Sequence, residues 1–185
     1  MSNFPFHTLE SAPEGSKPWL DKAKQGMGFL PNLYTALAES PIALEAYLTL
    51  SDLMTKTSFS PQEQQVIMLA ASVENECTYC VAAHSSGARM FKVDKDVVEA
   101  IRNDEPIADA KLQALRAFVQ ATVRDRGRVD KELQDFFDAG YNKQQALEVV
   151  FGVAMKTLSN YANHLVDTPV DSVMEKMAWS GRKKL

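Results

Sequence analysis

The feature of this chain that most constrains its fold is a helix start that recurs together with its capping residues. Ser60-Pro61-Gln62-Glu63 combines a capping hydroxyl, a proline at the first helical position and a glutamate three residues after the cap. Ser40-Pro41 is expected to open a second helix in the same way, and Asn142-Lys143-Gln144-Gln145 a third. Asp94 and Asp130 are expected to cap two more, so the sequence predicts many short helices.

Apolar residues between these starts recur at intervals of three and four, as on a helix with one buried face. Two such sets are Val66, Leu69, Ala70, Val73 and Leu112, Leu115, Val119, Val123. Alternation typical of β-strands does not extend over any useful length. We therefore predict an all-α fold with helices over residues 17–26, 31–38, 41–56, 61–75, 77–91, 95–103, 108–125, 130–139, 143–165 and 170–179.

A chain of 185 residues suits one domain, which we place over residues 1–185. The proline-bearing residues 1–31 are expected to form an N-terminal helical arm, packed on the bundle or on a neighbouring subunit. The net charge of −4 gives no electrostatic reason to expect nucleic acid as a partner. The short basic cluster Arg182-Lys183-Lys184 is expected to be a solvated tail.

Membrane and secretory segments are not evident in the sequence. No stretch approaches the roughly 18 consecutive apolar residues of a membrane span. The first seven residues have neither the basic start nor the apolar run of a signal peptide. We therefore expect a cytoplasmic location and no membrane partner.

The chain has two cysteines, Cys77 and Cys80, in a single C-x-x-C pair. In a reducing compartment such a pair is more plausibly reactive or metal-binding than a permanent disulfide. On the predicted helix that begins at Cys77, residues three, four and seven apart share one face, so His84 joins both cysteines. The three reactive side chains are therefore predicted to point the same way.

This arrangement suits thiol redox chemistry. The first turn of a helix stabilises a thiolate through its free N–H groups and its dipole. His84 is placed to take the proton of Cys80 and to return it to a leaving alkoxide. A thiolate that attacks a peroxide becomes a sulfenic acid, and a neighbouring thiol then condenses it to a disulfide.

Two other interpretations of the pair remain open. Cys77 and Cys80 can be small buried residues beside a core histidine. They can also be half of a zinc site, for which His7 and His164 would have to supply the other ligands, although neither has metal-ligand spacing. We expect no metal and no cofactor.

The segment from Glu74 to His84, preceded by a helix that starts at Ser60-Pro61, resembles the AhpD-like branch of the carboxymuconolactone decarboxylase family. The resemblance is specific over residues 58–92, which would hold the redox-site helices. Residues 28–34 and 159–165 also resemble segments of peroxidase-related members. The resemblance implies an AhpD-like helical bundle that forms homo-oligomers, commonly trimers or hexamers, and that reduces hydroperoxides or passes electrons to a peroxiredoxin-type partner.

By the same resemblance, Cys80 would be the attacking cysteine, Cys77 the resolving cysteine and His84 the base. The chain departs from the family at Gln65, because alkyl hydroperoxidase D-type members carry a glutamate twelve residues before the first cysteine. A glutamine cannot relay a proton as a carboxylate does. Glu74, which adjoins the thiols, is the expected substitute, and Glu63 is the other carboxylate available.

Two accessory candidates lie near the motif or late in the chain. Tyr79 sits between the cysteines, where its hydroxyl can donate to the site or pack in the core. His164 lies near the end of the helix over 143–165, where a surface position is the commoner case. The apolar stripe of that helix is expected to be core or subunit interface: Phe151, Met155, Leu158, Tyr161 and Ala162.

The expected function is a thiol-dependent peroxidase or disulfide oxidoreductase in antioxidant defence, recycled by an external dithiol. A decarboxylase acting on a lactone acid is one alternative, and it would not need a dithiol. A helical module that uses the same thiols as a redox sensor without catalysis is the other.

Overall fold

The computed structural model of the protein describes residues 3–182, apart from the side chain of Arg89. Within this range the chain is helical and contains no strand, which confirms the predicted all-α class. The α-helices are α1 Lys17–Met27, α2 Asn32–Leu37, α3 Pro41–Met54, α4 Pro61–Glu74, α5 Thr78–Gly87, α6 Lys95–Arg102, α7 Ala110–Arg124, α8 Asp130–Asp138 and α9 Lys143–Val166. Two 3₁₀ segments span Ala88–Phe91 and Ser172–Met177.

The strongest predicted caps are present. Ser60 and Glu63 form a capping box at α4, and Asn142 and Gln145 form another at α9. Ser40 accepts a hydrogen bond from the backbone N–H of Ala43 at α3. Asp94 occupies the cap position of α6 without a side-chain cap bond. The prediction that Asp130 caps a helix is wrong, because the buried Val129 is the cap residue of α8. Asp130 lies in the first turn of α8, where its negative charge interacts favourably with the helix dipole.

Helix α4 lies at the centre of the bundle and packs against α5, α6, α7 and α9. Its residues from Val66 to Val73 are all buried. Gly152 of α9 faces this helix, where an added Cβ atom would lie only 2.8 Å from Cγ2 of Ile67. The missing side chain thus lets α9 approach α4 closely, and this approach carries the inner face of α9 toward α5.

The N-terminal residues pack on the rest of the same chain. The backbone N–H of His7 donates to the carbonyl of Thr35 at 3.1 Å, and the Ser16 hydroxyl donates to the carbonyl of Ala38 at 2.7 Å. Leu20 of α1 is fully buried in the common core. Residues 3–31 therefore form one wall of the bundle, in contact with α2 and α3.

The C-terminal segment after α9 returns to the start of α5. The Tyr79 hydroxyl donates to Asp171 at 2.6 Å, and the Trp179 indole N–H donates to the carbonyl of Arg102 at 3.0 Å. Arg182 forms an ion pair with Glu74. The expectation of a solvated tail is thus wrong for Arg182, because this residue pairs with the largely buried carboxylate of Glu74. Lys183 and Lys184 lie outside the described residues.

Within residues 3–182, no helix combines the length and the apolar character needed to cross a membrane.

Candidate active site

The two cysteines lie at the start of α5. Cys77 is the cap residue of the helix and Cys80 lies in its first turn. Both are buried free thiols. The Asn163 side chain of α9 points its Nδ2 at both sulfurs, 3.2 Å from Sγ of Cys80 and 3.7 Å from Sγ of Cys77, and the Ser159 hydroxyl lies 3.9 Å from Cys80. The sulfurs are therefore held between the helix start and a polar strip of α9.

Cys80 and His84 line a cavity of about 310 Å³, whereas Cys77 lies behind Cys80, outside the lining. The wall is mainly apolar and includes six of the eight methionines of the chain: Met27, Met54, Met68, Met90, Met155 and Met174. Aromatic rings complete it: Tyr34, Tyr47, Tyr79 and Phe91. The Cys80 thiol therefore faces an apolar cavity, and the flexible methionine side chains that line this cavity can adapt to a ligand.

Lys156 is a site residue that was not predicted from the sequence. It is fully buried on α9 and also lines the cavity. Its Nζ lies 2.9 Å from Nε2 of His84, and Nδ1 of His84 lies 3.2 Å from Oε1 of Gln65. An ammonium group only donates, so we assign Nε2 of His84 as the acceptor and Nδ1–H as the donor to Gln65. Burial, reinforced by the charge of Lys156, lowers the pKa of His84 well below its ordinary value, which keeps the imidazole neutral.

The two thiols have opposite electrostatic surroundings. Burial opposes ionisation of Cys80, but the hydrogen bond from Cys77, together with the charge and hydrogen bond of Lys156, outweighs it and lowers the pKa of Cys80 to about 5. The same hydrogen bond to Cys80, with burial, raises the pKa of Cys77 far above its usual range. At neutral pH the arrangement is therefore a thiolate at Cys80 and a thiol at Cys77.

Gln65 lies where the resemblance places the missing glutamate, directly against His84. The proposed substitutes lie elsewhere. Glu74 pairs with Arg182, and Glu63 closes the capping box of α4, with Lys111 at 3.8 Å. Neither carboxylate lines the cavity. A buried lysine rather than a carboxylate is the charged group beside Cys80.

Of the two accessory candidates, only Tyr79 lies at the cavity. Tyr79 lines the cavity, but its hydroxyl is engaged by Asp171 and by the backbone N–H of Leu33, the latter at 3.3 Å. His164 is exposed and stacks on Tyr161. His7 lies 2.7 Å from Glu39, and neither histidine of the zinc interpretation lines the cavity.

A weak signal for the missed residues does exist in the sequence. Lys156, Ser159 and Asn163 are spaced by three and four on a helix that is otherwise mostly apolar, and all three are buried. A polar strip on the inner face of such a helix indicates a site rather than a surface.

Comparisons with known proteins agree on the fold. Residues 41–121 match the model of the carboxymuconolactone decarboxylase family. An uncharacterized peroxidase-related protein from Ralstonia eutropha JMP134, described as an alkylhydroperoxidase AhpD core, is similar in structure, with 20% identity and a TM-score of 0.80 over 92% of this chain and 93% of that chain. No curated protein matches the sequence.

Two further solved structures are similar over nearly the whole chain. A peroxidase-related protein from Silicibacter sp. TM1040 has 17% identity and a TM-score of 0.78, over 93% of this chain and 92% of that chain. The debrominase Bmp8, as a cysteine-to-alanine variant in complex with 2,3,4-tribromopyrrole, has 19% identity and a TM-score of 0.78 over 96% of each chain. Residues 41–121 thus match the carboxymuconolactone decarboxylase family, and the likeness to these structures shows that the chain has the AhpD-like all-helical fold.

Proposed function

We propose that the protein is a thiol-dependent peroxidase that reduces organic hydroperoxides through Cys80 and Cys77. One observation carries the proposal: of the two cysteines, Cys80 faces the cavity, and it does so beside the buried ammonium of Lys156. Cys77 stands directly behind it as a protonated thiol donor. This is the arrangement that a nucleophile and its resolving partner require.

The first step is attack of the Cys80 thiolate on the terminal oxygen of the hydroperoxide. The O–O bond breaks, Cys80 becomes a sulfenic acid, and the departing alkoxide takes a proton from Lys156. His84 contributes by accepting a hydrogen bond from Lys156, which holds Nζ beside the sulfur. This places the proton donor at the point where negative charge develops.

The second step forms the disulfide. The Cys77 sulfur attacks the Cys80 sulfur, the S–O bond breaks, and the Cys77 proton leaves with the hydroxyl as water. An external dithiol then reduces the disulfide and supplies two protons, which restore the Cys80 thiolate with the Lys156 ammonium and the Cys77 thiol. Because both sulfurs are buried, a donor that reaches them through the cavity is favoured over one that docks on the surface.

Titration of the reduced protein with cumene hydroperoxide tests this cycle. We expect one equivalent to consume both thiols and to yield a Cys77–Cys80 linked peptide, with full recovery on adding a dithiol. Cys80→Ser should abolish peroxide consumption, whereas Cys77→Ser should allow a single oxidation and block recycling. Unchanged steady-state turnover in both variants would exclude the mechanism.

Reductive debromination is a second candidate, favoured by the likeness to debrominase Bmp8 and by the polarisable, apolar cavity. In this reaction the Cys80 thiolate takes the bromine from an aromatic carbon, and the resulting carbanion takes a proton from Lys156. The Cys77 sulfur then attacks the Cys80 sulfur, the S–Br bond breaks, and bromide leaves together with the Cys77 proton, so the dithiol supplies both electrons. Bromide released from 2,3,4-tribromopyrrole faster than peroxide is consumed would favour this reaction over peroxide reduction.

Decarboxylation of a lactone acid is the third candidate, and its support is the family match over residues 41–121. Such a reaction does not need two thiols. Activity on a lactone acid that survives alkylation of both cysteines would favour it.

A further inference from the structure

The Asn163 side chain of α9 lies within hydrogen-bond distance of both sulfurs of the dithiol. Its Nδ2 is 3.2 Å from Sγ of Cys80 and 3.7 Å from Sγ of Cys77. A thiolate only accepts hydrogen bonds, so we assign the amide nitrogen, with its two hydrogens, to the side that faces the sulfurs. The Ser159 hydroxyl, by contrast, is 3.9 Å from Cys80 and already donates to backbone carbonyls of its own helix. Asn163 is therefore the better placed of the two to act on both thiols.

The other end of the Asn163 amide forms no hydrogen bond with the described part of the chain. Asn163 is 4% exposed, and its Oδ1 is buried without a partner among residues 3–182. A buried amide oxygen that is left unpaired costs the folded state free energy, and an apolar side chain of similar size would avoid that cost. Packing therefore does not explain an asparagine at this position, whereas its bonds to the sulfurs do.

The two sulfurs need a hydrogen-bond donor at different moments of the reaction. Before the attack, the negative charge lies on Cys80. After the attack, the Cys80 sulfur is neutral, and Cys77 must give up its proton as it becomes the nucleophile. Once the Cys77 hydrogen bond to Cys80 is lost, burial still opposes ionisation of Cys77. A donor that reaches both sulfurs lowers the barrier of each step in turn.

We propose that Asn163 is a catalytic hydrogen-bond donor shared by the two thiols. It stabilises the charge on Cys80 during the attack and the charge that develops on Cys77 as the disulfide forms. Lys156 supplies the counter-charge and the proton for the leaving group, whereas Asn163 assists the transfer of charge from one sulfur to the other. The inference rests on the dithiol chemistry proposed above, but it does not depend on whether the oxidant is a hydroperoxide or a bromopyrrole.

Reaction of the reduced protein with one equivalent of dithiodipyridine separates the two steps. The Cys80 thiolate attacks one sulfur of the reagent, the S–S bond of the reagent breaks, and the first thiopyridone leaves. The Cys77 sulfur then attacks the Cys80 sulfur, the mixed disulfide breaks, and the second thiopyridone leaves together with the Cys77 proton. Stopped-flow absorbance follows both releases. Because no peroxide is used, the assay reports on Asn163 whatever the outcome of the peroxidase test.

Asn163→Leu should slow each release about tenfold, which is the change expected when a hydrogen bond to an ionised sulfur is lost. Asn163→Ala, which cannot overfill the site, should slow both releases in the same way. Asn160→Ala is the matched control, because Asn160 is a buried asparagine three residues earlier on α9 whose Oδ1 accepts from Asn75 at 2.9 Å. Both of its release rates should stay near those of the wild type.

Thermal unfolding of the disulfide form separates lost catalysis from lost folding. No thiolate remains in that form, so oxidised Asn163→Leu should unfold at or above the wild-type temperature. A second release that keeps the wild-type rate in both Asn163 variants, equal slowing in Asn160→Ala, or a wild type that releases only one thiopyridone would each overturn the proposal. A wild type that completes both releases but does not consume peroxide would exclude the peroxidase function, and the rates of the Asn163 variants would still decide this inference.

Discussion

Replacing Lys156 with methionine removes the buried charge beside the Cys80 thiol while keeping a side chain of similar length. The pKa of Cys80 is lowered from 9.0 to about 5, so its surroundings favour the thiolate by about 5 kcal/mol, at about 1.4 kcal/mol per pKa unit. Burial alone would shift the pKa the other way. Most of the stabilisation must therefore come from Lys156 and Cys77.

The share of Lys156 follows from Coulomb's law. Two opposite unit charges at a contact separation of about 4 Å, with an effective dielectric constant of about 20, attract each other by about 4 kcal/mol, which sets the scale for a neighbouring ammonium at about 3 pKa units. We therefore expect Lys156→Met to raise the pKa of Cys80 to about 8 and to cut the thiolate fraction near neutral pH to about one tenth. Peroxide reduction should fall at least as much, since the variant also lacks the proton donor.

The assay is the pH dependence of iodoacetamide alkylation, with the labelled cysteine located by peptide mass. Lys143→Met, at the exposed start of the same helix, is the matched control and should keep the wild-type profile. A Cys80 profile in Lys156→Met that stays within about half a pH unit of the wild type would refute the assignment of Lys156 as the counter-charge.

Three further predictions concern the same site and its support. In the wild-type protein, alkylation of Cys80 should hold steady above neutral pH and be lost as the pH falls through about 5, because the folded-state pKa is lowered and protonation removes the nucleophile. Gly152→Ala should destabilise the fold by about 1–3 kcal/mol in thermal unfolding, because its Cβ would crowd Ile67. The control variant Gly26→Ala, at a position with open space around it, should not destabilise the fold. Equal destabilisation by the two variants would contradict this explanation. Tyr79→Phe should lower the free energy of unfolding by about 1–3 kcal/mol, because the hydrogen bond from the Tyr79 hydroxyl to Asp171 is lost. The alkylation rate of Cys80 should stay unchanged, and a slower rate would indicate a direct role for the hydroxyl.

The helices were largely predictable because their signals are local. The caps at Ser40, Ser60 and Asn142 and the apolar intervals between them fix most helix bounds to within two residues. The prediction of an α-helix over 170–179 is wrong, because the structure has only the 3₁₀ segment Ser172–Met177 there. The predicted helix over 77–91 is a second exception, because the α-helix ends at Gly87 and continues as a 3₁₀ segment. No capping signal marks that change, which lies where the helix meets the cavity wall.

The site was predictable only where its residues lie on one helix. Cys77, Cys80 and His84 are joined by spacing along α5, and Gln65 was singled out by the resemblance. Lys156 lies on another helix. Because lysines are rarely fully buried, its residue type gives no reason to expect it in a buried site. Glu74 adjoins the thiols in sequence, but it pairs with Arg182, a residue far along the chain that no local pattern connects to it.

The buried pairing of Lys156 with Cys80 ties the redox chemistry of the dithiol to proton supply. If the ammonium gives up its proton when the disulfide forms, two electrons and two protons travel together, and the midpoint potential falls by about 59 mV per pH unit. If the lysine instead kept its proton, a single cation would remain enclosed without its anion, and the slope would be about 30 mV per pH unit. Only in the first case is the cavity free of net charge in both redox states. The oxidant and the product then each bind in a neutral interior.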